Sequence, residues 1–128
     1  MTNEDHHATL IKGIAKEQKP ILDRSGQAVY IYLDDTHKIC NKKFAAMLGY
    51  KSIKEWVDNE TPVDDIVEKD QPKFVDTYLK TSEKLEAASL PIRFNNVRTG
   101  ELVKARMVLS PIVYEGHVFV IHFLDVIQ

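Results

Sequence analysis

The chain has 128 residues, with 17 Lys and Arg against 19 Asp and Glu, a formal charge of −2 and 44% hydrophobic residues. This length and composition predict one globular domain that buries a core of its own. The lack of a basic excess argues against nucleic acid as a partner. The single cysteine leaves no internal disulfide, and no apolar run is long enough to span a bilayer. We therefore expect a cytoplasmic protein without a membrane partner.

The first part of the chain predicts a flexible tail of seven residues followed by an amphipathic helix over residues 8–18. Leu10, Ile11 and Ile14 share one face of that helix. Pro20 disfavours helical backbone at the residue before it, and Gly26 ends a short second segment. We divide the chain accordingly into a flanking segment, residues 1–20, and a domain, residues 21–128.

The middle of the chain predicts two strands and then several helices. Residues 28–33 are rich in β-branched and aromatic types, and residues 37–40 can pair back on them after a turn. Asn41 is a suitable N-cap for a helix that ends near Gly49. Short helical turns follow over residues 50–70, where Ser52 is a suitable N-cap for residues 53–57, and Asp70 is the expected N-cap of a longer helix.

The last third of the chain alternates between apolar and polar residues, which is typical of strands. Three such stretches are separated by turns at residues 98–101 and at Glu115-Gly116, where the second turn has the composition of a tight hairpin. The order of two strands, several helices and three strands predicts an α+β fold with an antiparallel sheet.

Five stretches of the chain, taken in order, resemble the PAS domain family. They are Ala28–Asp34; Asn41-x-x-Phe44-x-x-x-Leu48-Gly49-Tyr50; Ser52-x-x-Glu55-Trp56; Glu68-Lys69-Asp70; and the final hairpins with Thr99-Gly100, Ser110-Pro111-Ile112 and Leu124-Asp125-Val126. The resemblance implies a five-stranded antiparallel sheet of order 2-1-5-4-3, with helices crossing one face and enclosing a pocket. The helix over residues 8–18 would flank this domain.

The resemblance also implies a non-enzymatic sensory and signal-transduction domain that binds a small, largely apolar ligand or a protein partner. We expect a homodimer, with a kinase or a transcription regulator as the kind of signalling partner. The segments before Ile21 and after Asp125 would carry the output. Two alternatives stay open: a ligand-free structural dimerisation module, and a small isomerase-like enzyme with an apolar pocket. The sequence contains no catalytic motif such as G-x-S-x-G or H-E-x-x-H.

The sequence predicts neither a metal nor a prosthetic group. By resemblance, flavin photoreceptors of this family carry their reactive cysteine after the Gly-Tyr pair, whereas Cys40 precedes Gly49-Tyr50. Haem-binding members often use a histidine on the long helix, and residues 70–86 contain none. We therefore expect neither covalent flavin nor haem, and the identity of any small ligand stays open.

Alternation within the strands predicts two opposite faces of the sheet. We assign ten strand residues to the pocket face, and Phe74 and Tyr78 of the long helix complete the pocket. The full set is Ile31, Leu33, Phe74, Tyr78, Ile92, Phe94, Ala105, Met107, Leu109, Phe119, Ile121 and Phe123. The face that binds a dimer partner is assigned these residues: Leu10, Ile11, Ile14, Tyr30, Tyr32, Val118, Val120 and His122. For each pocket residue, simple packing in a core is the alternative. For the face assigned to a dimer partner, the alternatives are that the N-terminal helix covers it within one chain or across a dimer.

Overall fold

The computed structural model describes residues 3–127 and confirms the predicted order of strands and helices. The elements are α1 (Asn3–Glu17), α2 (Lys19–Arg24), β1 (Ala28–Asp34), β2 (His37–Cys40), α3 (Lys42–Met47), α4 (Ile53–Val57), two 3₁₀ turns (Pro62–Asp65 and Glu68–Asp70), α5 (Gln71–Lys84), β3 (Ala88–Asn95), β4 (Leu102–Tyr114) and β5 (His117–Val126). None of the described helices is both long enough and apolar enough to cross a membrane.

The five strands form one antiparallel sheet in the order β2-β1-β5-β4-β3, which confirms the predicted topology. In the register of β5 with its two neighbours, His122 lies opposite Tyr30 of β1 and Leu109 of β4. Residues that lie opposite each other point to the same face of a sheet. His122, which lies in the middle strand of the sheet, is therefore on the same face as these two residues.

Apolar side chains cover both faces of the sheet. The helices from α3 to α5 pack on the inner face, where Tyr30, Phe44 and Trp56 belong to one buried cluster. Helix α1 packs on the outer face, where Leu10 and Ile14 are buried in a second cluster with four strand residues: Val29, Ile31, Phe119 and Ile121. The chain therefore covers its own outer face.

Helix α1 begins earlier than the sequence predicts. Residues 3–7 were expected to be flexible, and they form the first turns of this helix. Residues 1 and 2, which belong to the same predicted tail, and residue 128, which ends the predicted domain, lie outside the described residues. The reason for the extension is tertiary, because His6 and His7 contact side chains of the sheet.

Two of the three predicted helix caps are confirmed. The Asn41 side chain accepts hydrogen bonds from the backbone N–H of Phe44 at 3.0 Å and of Val29 at 3.1 Å, so it joins α3 to β1. Ser52 caps α4 by accepting from the N–H of Glu55 at 3.1 Å.

Asp70 stands at the predicted N-cap position of α5, but its side chain does not cap the helix. Its carboxylate makes no cap hydrogen bond and instead accepts three hydrogen bonds from Arg93 of β3, at 2.8, 2.9 and 3.0 Å. A bidentate guanidinium pair with an added backbone bond outweighs one cap interaction. The pair therefore fixes the start of α5 against the sheet.

Gly49, after α3, is expected to tolerate no side chain. Its φ is +87°, and a Cβ there would lie 2.2 Å from Oδ1 of Asn96. That oxygen accepts hydrogen bonds from the N–H groups of Arg98 and Thr99, so it cannot withdraw without breaking their turn. Gly49→Ala should therefore lower the free energy of unfolding by about 2–3 kcal/mol.

Gly26→Ala is the matched control, because the φ of Gly26 is not positive and no atom lies within 4 Å of the added Cβ. We expect its unfolding free energy to stay within about 1 kcal/mol of that of the unmodified chain. Urea unfolding followed by the fluorescence of the single tryptophan, Trp56, measures both variants. Equal losses of unfolding free energy in Gly49→Ala and Gly26→Ala would contradict the explanation that backbone strain and Asn96 exclude a side chain at Gly49.

Candidate functional site

A cavity of about 290 Å³ lies between the inner face of the sheet and the helices that cross it. Aromatic side chains from five elements form most of its wall: Tyr30 and His122 from β1 and β5, Phe44 and Trp56 from α3 and α4, and Phe74 and Tyr78 from α5. Val75 and Leu79 of α5 also line it and are 43% and 44% exposed. The cavity therefore meets solvent along one side of α5.

The ring of His122 is stacked within this aromatic wall. Its centroid lies 3.8 Å from that of Tyr30, and the two planes differ by 9°. On the α5 side, the ring of Tyr78 is nearly parallel to it, with a centroid distance of 6.2 Å and an angle of 6°. Phe74 lies at a similar distance of 6.1 Å. These contacts fix the orientation of the imidazole.

The nitrogen atoms of His122 have no well-formed hydrogen bond to the described part of the chain. The residue is fully buried, and neither Nδ1 nor Nε2 meets ordinary hydrogen-bond geometry with any group in residues 3–127, although backbone groups of Tyr30 and Val120 lie near enough to affect the ring. Burial lowers the pKa of His122 to about 3, against the opposing effect of backbone groups of Tyr30 and Val120. The ring is therefore neutral near pH 7, with one donor and one acceptor. A buried polar group left unsatisfied costs about 1–3 kcal/mol, so a hydrogen-bond partner for this imidazole would stabilise the folded chain.

The tyrosine hydroxyls around the cavity stay protonated near neutral pH. Burial raises the pKa of Tyr78 to about 12, and it also raises the pKa values of Tyr30 and Tyr32. The Tyr32 hydroxyl donates a short hydrogen bond to the carboxylate of Asp35, another cavity residue. The Tyr32 hydroxyl thus already has a side-chain partner, whereas the His122 ring has none among residues 3–127.

Lys38 of β2 stabilises the cavity wall beside Trp56. Its side chain is buried, and Nζ donates to the carbonyl oxygens of Asp35 at 2.5 Å, Asn59 at 2.6 Å and Val57 at 2.9 Å. Nζ also lies 5.2 Å from the centre of the Trp56 ring. One ammonium group thus ties the β1–β2 turn to the end of α4, and both segments border the cavity.

Cys40 lies in the inner cluster but not on the cavity wall. It is 2% exposed, and burial raises the pKa of its thiol to about 12. A protonated, buried thiol is a poor nucleophile. The expectation that the chain carries neither covalent flavin nor haem stays a prediction.

Comparison of the sequence with models of protein families and with curated proteins gives no match. Comparison with solved structures gives clear ones. The PAS domain of an HTR-like protein from Haloarcula marismortui is similar over 96% of this chain and 99% of its own, with a TM-score of 0.66 and 17% identity. This chain has the PAS fold.

Two further PAS-fold structures are similar to it. A PAS domain from a two-component sensor histidine kinase matches 91% of this chain and 99% of its own, with a TM-score of 0.64 and 15% identity. The LOV protein of Rhodobacter sphaeroides matches 91% of this chain and 68% of its own, with a TM-score of 0.71 and 13% identity. At these identities the similarity concerns the fold.

The cavity in this PAS fold lies in a different place from the one that the sequence analysis assigned. Of the predicted pocket residues, Phe74, Tyr78 and Phe94 line it. Four others belong to the inner face without bordering the cavity: Ile92, Ala105, Met107 and Leu109. The remaining five lie on the outer face: Ile31, Leu33, Phe119, Ile121 and Phe123. The predicted facing of β1 and β5 is therefore wrong.

The face assigned to a dimer partner is corrected in the same way. Tyr30, Tyr32 and His122 line the cavity, and Val120 belongs to the inner cluster. Val118 is half-buried and belongs to neither cluster. Leu10, Ile11 and Ile14 do lie on the outer face, where they pack against the sheet of their own chain. A homodimer stays a prediction, and in this arrangement it would need another surface.

The reason for both corrections is that alternation shows which residues share a face but not which face it is. Both faces of this sheet are apolar because helices cover both. The hydrogen-bond register resolves the ambiguity, since Met107 of β4 lies opposite Leu124, and Leu109 lies opposite His122. The even-numbered residues of β5 therefore face the cavity side together with the odd-numbered residues of β4.

Proposed function

We propose that the chain is a non-enzymatic sensory domain that binds a small aromatic molecule in the cavity. The observation that carries this proposal is the fully buried imidazole of His122, which makes no well-formed hydrogen bond within residues 3–127 and lies on the wall of a largely apolar cavity. Ligand sites are mostly apolar pockets with a few polar groups that fix orientation. The likeness to a PAS domain of a sensor histidine kinase supports the signalling role.

The size and chemistry of the cavity define the class of ligand. An apolar cavity of about 150 Å³ in another protein holds benzene, and this one measures about 290 Å³. One or two aromatic rings would fit, stacked or edge-on against Tyr30, Phe74 and Tyr78. One polar substituent would pair with a nitrogen of His122.

The proposed route of the signal crosses the sheet. Tyr30 and His122 line the cavity on the inner face, while their neighbours Ile31 and Ile121 pack with Ile14 of α1 on the outer face. A ligand that shifts β1 or β5 would therefore alter the packing of α1. We propose α1 as the element that passes the signal to a partner protein.

Phenol and toluene are the probes that test recognition by His122, because they differ only in one polar group. Unmodified protein should bind phenol more tightly than toluene. In His122→Phe the affinity for phenol should fall about tenfold, since its hydroxyl would be buried without a partner, and the affinity for toluene should stay the same. Chemical-shift titration by NMR measures all four dissociation constants.

Two outcomes would count against the proposal. If neither probe binds, the cavity does not hold a ligand, and the structural dimerisation module becomes the better explanation. If both probes bind and His122→Phe leaves the affinity for phenol unchanged, the imidazole does not recognise the ligand. Phe74→Ala is a useful companion variant, because it removes wall area that both probes contact and should weaken both alike.

A further inference from the structure

Four of the five histidines of the chain come together at one corner of the sheet, away from His122. His6 and His7 lie in the first turns of α1, His37 begins β2 and His117 begins β5. His6 Nε2 lies 3.0 Å from His117 Nε2 although the two residues are 111 positions apart. The carboxylate of Asp34, at the end of β1, lies in the same cluster.

The centre of this cluster is the Asp34 carboxylate, which contacts an imidazole through each oxygen. Oδ2 lies 2.8 Å from Nδ1 of His7, and Oδ1 lies 2.6 Å from Nδ1 of His37. The three residues place one potential ligand atom each within 4.8 Å of one another. We propose that His7, Asp34 and His37 form a binding site for a divalent transition metal, with Zn²⁺ as the best match.

The two contacts of Asp34 fit that ion after a small adjustment. Zinc binds imidazole nitrogen at about 2.0–2.1 Å and carboxylate oxygen at about 2.0–2.2 Å, so ligand atoms at neighbouring corners of a tetrahedron are roughly 3.3 Å apart. The two contacts of Asp34 need to open by roughly half an ångström to admit the ion. Two imidazoles and one carboxylate are a ligand set suited to zinc rather than to Mg²⁺ or Ca²⁺, which prefer oxygen.

Other groups support the three ligands. The N–H and the hydroxyl of Thr36 donate to Oδ1 of Asp34 at 3.0 and 3.1 Å, which holds the carboxylate in place. Hydrogen bonds of this kind, made to a ligand by a neighbouring residue, orient the ligands of metal sites. The side chains of His7 and Asp34 are 32% and 36% exposed, whereas that of His37 is 7% exposed. The site is thus anchored on the buried side and open to solvent on the other, where water can take the fourth position.

A bound metal would join the start of α1 to the β1–β2 turn. The chain segments that supply the ligands are 27 and 3 residues apart, so one ion would fasten the flanking helix to the sheet. This role is separate from ligand binding in the cavity and does not rest on it. The sequence predicts no metal, because residues this far apart form no local motif.

Isothermal titration of the full chain with ZnCl₂ in chelator-free buffer at pH 7.5 tests the site. We expect one Zn²⁺ per chain and no heat of binding with MgCl₂. His7→Gln and Asp34→Asn should each weaken the binding by at least about tenfold. Asp64→Asn, which removes an exposed carboxylate elsewhere, is the matched control and should bind as the unmodified chain does.

His7→Gln is the decisive variant, since His7 lies on the surface of α1 and its replacement should leave the fold intact, as far-UV circular dichroism can verify. Co²⁺ supplies a second readout, because its visible spectrum depends on coordination geometry, and the spectrum should change between the unmodified chain and His7→Gln. The proposal is overturned if the unmodified chain binds no Zn²⁺, or if His7→Gln binds it with unchanged affinity.

Discussion

Replacing Lys38 by methionine is expected to lower the free energy of unfolding by about 3–5 kcal/mol. The substitution keeps much of the apolar stem but removes an ammonium group that serves the carbonyl oxygens of Asp35, Val57 and Asn59. Those carbonyls would lose charge-assisted hydrogen bonds in a buried setting, where the loss of one partner is costly. Urea unfolding followed by Trp56 fluorescence measures the effect.

Lys54→Met is the control for this experiment. Lys54 makes a single surface ion pair with Asp58, and its side chain is 82% exposed. Exposed ion pairs contribute little to stability, so we expect the free energy of unfolding to change by less than about 1 kcal/mol. If Lys38→Met were no more destabilising than Lys54→Met, the buried ammonium would not be holding the cavity wall together.

The stability of the chain should depend on pH through His122. Burial lowers the pKa of this imidazole to about 3 in the folded chain, whereas an unperturbed histidine has a pKa near 6.5. Between these two values the unfolded chain binds the extra proton, so the free energy of unfolding rises with pH. The contribution is complete above about pH 6.5 and is lost as the pH falls towards about 3.

His122→Phe isolates this contribution. On going from pH 7 to pH 4, the unmodified chain should lose about 3 kcal/mol more stability than the variant does. Carboxylates such as Asp70, whose pKa is held down by hydrogen bonds from Arg93, also cost stability in acid, but they do so in both proteins and cancel in the difference. Parallel urea curves at pH 4, 5, 6 and 7 give the comparison, and equal pH slopes would contradict the burial of a neutral His122.

The fold could be predicted because its signals are local. Alternating apolar residues marked the strands, Asn41 and Ser52 marked the starts of two helices, and these caps are confirmed. Each of these signals depends on residues within a few positions of one another, and their order along the chain then agreed with one known topology. Asp70 shows where such reasoning stops, since its partner Arg93 is 23 residues away.

The site could be predicted only in part. The alternation of apolar residues groups the residues of each strand correctly, but it does not show which group faces the cavity. For β1 and β5 the wrong group was assigned to the cavity face. The information to avoid this error was present in the hairpin at Glu115-Gly116: a two-residue turn places Tyr114 opposite His117. Counting back from that pair puts Leu109 opposite His122, on the cavity side.

Other features of the site had no local signal. Nothing near Lys38 in the sequence shows that its ammonium reaches carbonyl groups 19 and 21 residues away. A lone lysine in a short strand is usually solvated, and only the tertiary fold reveals its burial. The histidine cluster around Asp34 depends in the same way on three distant segments that meet at one corner.

The central claim is that His122 is a neutral, buried imidazole that recognises a small aromatic molecule in the cavity. The most direct measurement is the ¹⁵N chemical shifts of its two ring nitrogens by NMR at pH 7, during a titration with phenol. We predict the pattern of a neutral imidazole throughout, with the shift of one ring nitrogen moving as phenol saturates the cavity. A protonated ring at pH 7, or ring nitrogens whose shifts do not respond while phenol is bound, would contradict the claim.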